Sequence, residues 1–257
     1  MRINSIFLTF LLFALTDARR IRERVNDIIG EHRKIGAYNT MTSPKVRWPS
    51  KTLIYKFDEG NTHTADERKY YLIAMEIIAN ATCIKFKERT TEVGYVNLIN
   101  SNPKGCYSVA GYQGTKQDLN IGWCLKRTYS VVHEFMHALG FHHEQTRYDR
   151  DLYLDVQWNN IKESVQHNYL KYPRTYAFPK WSYDLESVLQ YPIEDTPPSM
   201  ILRSLEDESK DIGQRQRLRP SDILRMRAAY SCDSAGSETR SMGLTEEQLR
   251  VAQYIAY

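Results

Sequence analysis

Three histidines and a glutamate between positions 133 and 143 have the types and spacing of a zinc-binding site. His133 and His137 are four residues apart, so on a helix both imidazoles project from one face. Their nitrogens can then lie about 2 Å from a single zinc ion. Glu134 lies beside this face, where its carboxylate can reach a water at the metal without being a ligand. The pattern predicts two zinc ligands and a neighbouring acid–base group.

His143 is the expected third ligand. Gly140 lets the chain leave the helix abruptly, because glycine adopts a left-handed backbone without a Cβ clash. Three protein nitrogens leave one position for water, which is typical of a catalytic zinc. A purely structural zinc would need a fourth protein ligand, for which His142 is the candidate, although its spacing indicates a packing or hydrogen-bonding role. The remaining histidines are expected at the surface: His32, His63 and His167.

The surrounding elements must place these side chains together. Apolar residues around the motif predict a partly buried helix over 131–139, capped by Thr128 or Ser130. Residues 152–180 have weak periodicity and are expected to form long ordered loops. This order of elements predicts a mixed sheet with a helix packed on it. The predicted strands cover 53–57, 83–87, 95–99, 106–111 and 118–123, and further helices cover 65–80 and the stretch from Pro220 to near Cys232.

The N-terminal residues predict export. Residues 1–18 combine a positive start, an apolar run and small residues, which is the layout of a secretory signal peptide. The apolar run is shorter than the about 20 residues of a membrane-spanning helix, and a short membrane anchor is the alternative. Residues 19–38 are rich in Arg, Lys and Glu and are interpreted as a removable pro-segment. The alternative for this stretch is a solvated helix or a loose arm.

Composition bounds the class of protein. With 257 residues, 42% hydrophobic and 26% charged, the chain is long enough for one globular domain, which can be split into two lobes around a cleft. The net charge of +4 comes from scattered basic residues, which argues against a nucleic-acid partner. No segment after the N-terminus is apolar enough to span a membrane, and we expect a monomer. Four cysteines and the glycosylation acceptor at Asn80 fit an extracellular location.

The stretch from His133 to His143 matches the metzincin motif. Its continuation over 144–151 resembles the astacin family of zinc metalloendopeptidases. The resemblance covers residues 39–232, which we take as the catalytic domain, with 233–257 as a linker and short tail. Further agreeing segments occur in the family's order: Trp48-Pro49, Thr82-Cys83-Ile84, residues 106–124, Tyr183-Asp184 before Ser187, and Tyr230-Ser231-Cys232.

The resemblance implies a two-lobed α+β catalytic domain. A mixed twisted sheet with helices forms the N-terminal lobe, and the C-terminal lobe is mostly irregular with a final helix. An extended polypeptide substrate would lie on the unpaired edge of the strand that begins at Cys106. Four cysteines allow three pairings, and the resemblance selects these two: Cys83–Cys232 and Cys106–Cys124.

The resemblance also implies the mechanism, in which one zinc ion activates a water near pH 7. Glu134 would accept the proton of this water and pass it to the leaving amine. Tyr191 would stabilise the reaction intermediate, and Glu144 would bind the new N-terminus formed when the pro-segment is removed. Asp27 is the candidate pro-segment group that occupies zinc, although the residues around it lack the Phe and Gly of the family pattern.

The sequence departs from the family pattern just before Tyr191. The family usually has Met and His there, whereas this chain has Leu189 and Gln190. Leucine is close to methionine in volume and apolar character, so the swap is expected to be mild. The departure nevertheless motivates an alternative: a catalytically impaired secreted protein of the same fold that binds zinc and acts by binding.

Overall fold

The computed structural model describes residues 28–29, 44–60, 63–101, 103, 105–173, 182–193, 197–203 and 211–232. The expected signal peptide, most of the expected pro-segment, Asp27, His32 and the tail over 233–257 lie outside these residues. Within the described part of the chain, no helix is long and apolar enough to cross a membrane.

The N-terminal lobe contains a mixed six-stranded sheet in the order β1-β5-β6-β4-β2-β3. The inner strands are parallel, and β5 is antiparallel to β6. All five predicted strands are present, with bounds shifted by a few residues. The strands are β1 (Ile28–Ile29), β2 (Thr52–Phe57), β3 (Lys85–Glu88), β4 (Tyr95–Ile99), β5 (Tyr107–Val109) and β6 (Lys116–Asn120).

Strand β1 changes one expectation. The outer edge of β5 was expected to be unpaired, but Ile28 and Ile29 lie beside it in parallel, in register with Ser108 and Val109. An exposed strand edge offers unpaired N–H and C=O groups to any extended segment. Two residues of the expected pro-segment take this place.

Two helices pack with the sheet in one hydrophobic core. Helix α1 (Ala65–Ala81) begins with a capping box between Thr64 and Glu67, and helix α2 (Thr128–Ala138) contains the histidine motif. The predicted sheet-and-helix arrangement is confirmed. The core draws buried residues from both helices and from strands β2, β4 and β6, among them Leu53, Ile78, Leu98, Leu119 and Phe135.

The start of α2 differs from the prediction. The residue before the helix is Arg127, which makes no side-chain cap, and neither Thr128 nor Ser130 caps the helix. Arg127 N–H donates to Cys124 O at 2.9 Å, and Arg127 O accepts the first helical hydrogen bond. A tight turn therefore leads directly into the helix, so the two predicted cap residues already lie inside its first turn.

His63 is buried, so its prediction as a surface residue was wrong. Its Nε2 lies 2.9 Å from Leu98 O, and its ring packs edge-on against Phe57 and Tyr71. The ring completes the core where β2 and β4 end, a contact with no local sequence signal.

The C-terminal lobe has its own smaller core, which includes Tyr169, Leu185 and Tyr191. The prediction of loops over 152–180 was only partly right. Strand β7 (Leu154–Val156) pairs antiparallel with β8 (Met200–Leu202), and short 3-10 helices follow β7. The two strands are far apart in sequence, which leaves no local hairpin pattern. Helix α3 (Pro220–Ala229) is the expected final helix.

Candidate metal centre

The structure brings the three motif histidines together at the end of α2. The Nε2 atoms of His133 and His137 are 2.9 Å apart, and that of His143 lies 3.2 Å from both. All three side chains are buried. Among the described residues, this is the one cluster of ligating side chains that can hold a metal ion.

Backbone carbonyls orient two of the ligands. His133 Nδ1 donates to Val188 O and His137 Nδ1 donates to Phe141 O, both at 2.7 Å. Because a carbonyl oxygen only accepts, the hydrogen of each ring is on Nδ1, and the Nε2 lone pairs face one another. These lone pairs repel one another unless a cation lies between them. A hydrogen bond from the other ring nitrogen to a carbonyl, as His133 and His137 make, is usual for metal-ligating histidines. Nitrogen ligands about 2 Å from one tetrahedral zinc are roughly 3.3 Å apart, so the donor set fits zinc.

Gly140 ends α2 as predicted, with φ of 101°. Phe141 N–H donates to Met136 O at 3.0 Å, and Gly140 N–H donates to His137 O at 2.7 Å. This pair of hydrogen bonds is the Schellman arrangement that ends many helices. The turn brings His143 back to the two helical ligands.

Glu134 follows the first ligand on α2 and is outside the ligand cluster. It is only 2% exposed, and its Oε1 lies 3.2 Å from the Sγ of Cys106, the residue before β5. The carboxylate therefore extends from the helix that carries two of the ligands toward the strand on which substrate is expected. A general base needs this position to reach a water beside both.

Tyr191 lies on the third ligand. Its ring is 1% exposed, and its centroid is 4.4 Å from that of His143. Tyr169 packs edge-on against it at 5.8 Å. The structure thus brings Tyr191 to the histidine triad, and its role in stabilising an intermediate stays a prediction. His142 is not part of the cluster, and its ring packs against Tyr172 at 4.5 Å.

The turn that contains Leu189 and Gln190, the two departures from the family pattern, is held by several hydrogen bonds. Leu189 is buried in the main core, and its carbonyl accepts from Glu144 N–H at 3.0 Å. Gln190 is fully buried, with its Oε1 accepting from Tyr183 O–H at 2.6 Å and its Nε2 donating to Tyr191 O at 2.9 Å. Both ends of the amide are therefore satisfied.

Asp222 supports this turn from α3, a contact that the sequence did not indicate. Its carboxylate accepts from Ser187 Oγ at 2.6 Å and from Val188 N–H at 3.1 Å. Val188 is the residue whose carbonyl orients His133. Complete burial raises the pKa of Asp222 to about 6. The local sequence suggested only a helix start at this position.

Glu144 contacts α3 through a buried ion pair. Arg225 donates to both of its oxygens, at 2.6 and 2.8 Å, and Asp184 N–H donates to Oε1 at 2.9 Å. Arg147 Nη1 also lies 3.4 Å from Oε1, so both cations here are side chains of the same domain. The role of Glu144 in binding a new N-terminus stays a prediction, since residues 30–43 lie outside the described part of the chain.

The structure joins Cys83 to Cys232 and Cys106 to Cys124, the pairs that the resemblance implied. Asn80 is exposed near the end of α1, so its side chain is open to modification.

The fold and the triad define the class of the protein, an α+β domain with a buried triad of histidines that fits a zinc ion. Comparison with known proteins gives the family. The family model described as Astacin, a family of peptidases, matches residues 40–231, so the chain belongs to the astacin family.

Individual relatives agree with this assignment. The chain is 34% identical to human meprin A subunit beta over 203 residues, which cover 77% of this chain and 28% of the meprin. It is 30% identical over 212 residues to astacin-like metalloprotease toxin 2 of Loxosceles intermedia, covering 80% of this chain and 82% of the toxin. The solved structure of high choriolytic enzyme 1, a hatching enzyme zinc-protease of Oryzias latipes, matches with a TM-score of 0.63 at 28% identity, covering 72% and 93% of the two chains. The chain spans less than a third of the meprin's length.

Proposed function

We propose that this chain is a secreted zinc endopeptidase, made as a zymogen, that hydrolyses peptide bonds of extended polypeptides. The observation that supports this most strongly is the buried triad of imidazoles with Glu134 beside it and outside the ligand set. Family membership and the named zinc proteases among its relatives support the same function.

His133, His137 and His143 would hold one zinc ion, which supplies the Lewis acidity that activates water near neutral pH. Glu134 takes the proton of the attacking water and returns it to the leaving amine. Tyr191, which packs on His143, donates a hydrogen bond from its hydroxyl to the oxyanion as negative charge develops. The substrate backbone pairs with β5, which places the scissile bond beside Glu134.

The zymogen part of the proposal is supported by strand β1. Its backbone pairs with the same edge of β5 that substrate would use, so an extended peptide and residues 28–29 cannot be there together. Asp27 precedes β1 and is the proposed carboxylate that takes the water's place at the metal. After the segment up to about residue 38 is removed, Glu144 would receive the new N-terminus beside Arg225.

Export is supported by three independent features of the sequence and structure. These are the signal-peptide layout over 1–18, the two disulfides and the exposed acceptor Asn80. Disulfides persist mainly in oxidising compartments outside the cytosol.

The alternative, a non-catalytic zinc-binding protein, rests on Leu189 and Gln190. Leu189 packs in the core, and the Gln190 amide is hydrogen-bonded at both ends, so the turn beneath the metal centre is intact. This observation favours the enzyme.

Cleavage of casein by the chain processed near residue 39 tests the proposal. We expect hydrolysis that a zinc chelator abolishes and added zinc restores, and no hydrolysis by the unprocessed chain. A processed, zinc-loaded chain that cleaves neither casein nor gelatin would support the binding protein instead.

A further inference from the structure

Three consecutive carbonyls at the end of α2 accept hydrogen bonds from distant parts of the chain. His137 O accepts from Gly111 N–H at 2.9 Å. Ala138 O accepts from the indole N–H of Trp48 at 2.8 Å, and Leu139 O accepts from the hydroxyl of Tyr230 at 2.9 Å. The donors come from the start, the middle and the end of the domain.

These donors complete a helix end that is buried. The last four carbonyls of an α-helix have no partner within the helix. The Schellman turn at Gly140 satisfies those of Met136 and His137 only. Ala138 and Leu139 are at most 2% exposed, so water is excluded there and an unmade hydrogen bond is costly. Trp48 and Tyr230 supply the two missing donors.

The helix end leads directly into the metal centre. Two residues after Leu139, the carbonyl of Phe141 orients His137, and His143 follows as the third ligand. A shift of the carbonyls of Ala138 and Leu139 would therefore move both His137 and His143. The turn therefore transmits its position to two of the three ligands.

Trp48 and Tyr230 also hold each other in place. The backbone N–H of Trp48 donates to the Tyr230 hydroxyl at 3.4 Å, and the indole ring packs edge-on against Tyr112 at a centroid distance of 4.9 Å. Tyr230 is two residues from Cys232, which is bonded to Cys83 beside α1. Burial raises the pKa of the Tyr230 phenol above its usual range, so the hydroxyl keeps the hydrogen that it donates.

We propose that Trp48 and Tyr230 are positioning residues of the metal centre, which complete the end of α2 and so preset His137 and His143 for zinc. The inference rests on the proposed zinc site. It adds that affinity for zinc depends on two hydrogen bonds from residues that touch neither metal nor substrate.

Tyr230→Phe tests the inference against Tyr71→Phe as a matched control. Tyr71 also donates a buried hydroxyl to a backbone carbonyl, Ile99 O at 2.6 Å, but that carbonyl belongs to the sheet. Both substitutions remove a buried hydrogen bond from a hydroxyl to a backbone carbonyl and leave the ring in place, so a general loss of stability is common to both. Tyr230→Phe also removes the acceptor of the longer contact from the Trp48 backbone N–H. Zinc affinity, measured by competition with a fluorescent chelator on the processed chain, separates them.

We expect Tyr230→Phe to weaken zinc binding about tenfold, the lower end of the effect of residues behind metal ligands, and Tyr71→Phe to change it less than twofold. Trp48→Phe, which removes the donor to Ala138 O together with part of the buried indole, should weaken zinc binding similarly and serves if Tyr230→Phe does not fold. Equal zinc affinity in wild type and the Tyr230 and Trp48 variants would overturn the inference while leaving the zinc site standing. Failure of the wild-type chain to bind zinc would instead overturn the proposed function.

Discussion

Gln190 shows how a buried polar side chain can replace the residue usual in a family without leaving a gap in the hydrogen bonding. Its amide joins Tyr183, in the core of the C-terminal lobe, to the backbone of Tyr191 at the metal centre. Beside it, Leu189 fills an apolar place in the main core. The two departures therefore act differently, one through hydrogen bonds and one through volume.

The amide of Gln190 can be tested with a double-mutant cycle. Gln190→Leu leaves the Tyr183 hydroxyl buried without its acceptor, so we expect a loss of about 1–3 kcal/mol in the free energy of unfolding. Adding Tyr183→Phe removes the unsatisfied partner and should recover part of the loss. Urea denaturation of the four proteins gives the coupling energy. Strictly additive losses would show that this hydrogen bond does not support the turn.

Leu189→Met restores the residue usual in the family and preserves volume. We expect the free energy of unfolding to change by less than about 1.5 kcal/mol, as for other conservative core swaps, and casein hydrolysis to stay within a few-fold of the parent. A large gain of activity would show that the natural turn is impaired and would favour the non-catalytic alternative.

At the scale of elements, helix α2 was predictable from the local sequence, whereas strand β1 was not. Helix α2 and its ligands were predicted because the spacing of His133, Glu134 and His137 encodes one helix face within a few residues. The pairing of β1 with β5 was not predicted, because two isoleucines far from β5 in sequence give no periodic signal.

The β1–β5 pairing predicts that a peptide of residues 19–38 inhibits the processed enzyme. Inhibition should be competitive with an extended peptide substrate, because both use the backbone of β5. A peptide of the same composition in scrambled order is the control. The same peptide with Asp27→Ala should inhibit less if the carboxylate occupies the metal. Inhibition that is insensitive to substrate concentration would place the peptide elsewhere.

At the scale of the whole molecule, sequence reasoning missed several residues that support the site from other parts of the chain. Trp48, Asp222, Arg225 and Tyr230 all support the motif or its turn, from positions far from it in sequence. Local patterns predicted the mixed sheet, the main helices and the ligand triad. Long-range contacts between buried polar groups depend on the finished fold, so neither spacing nor composition indicates them.

The two disulfides are expected to contribute unequally to stability. Cys83–Cys232 spans 149 residues and Cys106–Cys124 spans 18. Loop-closure entropy gives about 5 and about 3 kcal/mol respectively, before any strain is subtracted. Replacing each pair by alanine and measuring urea unfolding should show the larger loss for the longer loop. An equal or reversed order would mean that the denatured chain is not described by simple loop closure.

The central claim is that Glu134 performs the proton transfers at a zinc ion held by the three histidines. Zinc content and casein hydrolysis of the processed Glu134→Ala variant, measured beside the parent, test it most directly. We predict one zinc per chain in both proteins and a loss of hydrolysis of at least about a hundredfold in the variant, the range for removal of a general base. A variant that binds zinc and hydrolyses casein at close to the parent rate would contradict the assignment of Glu134.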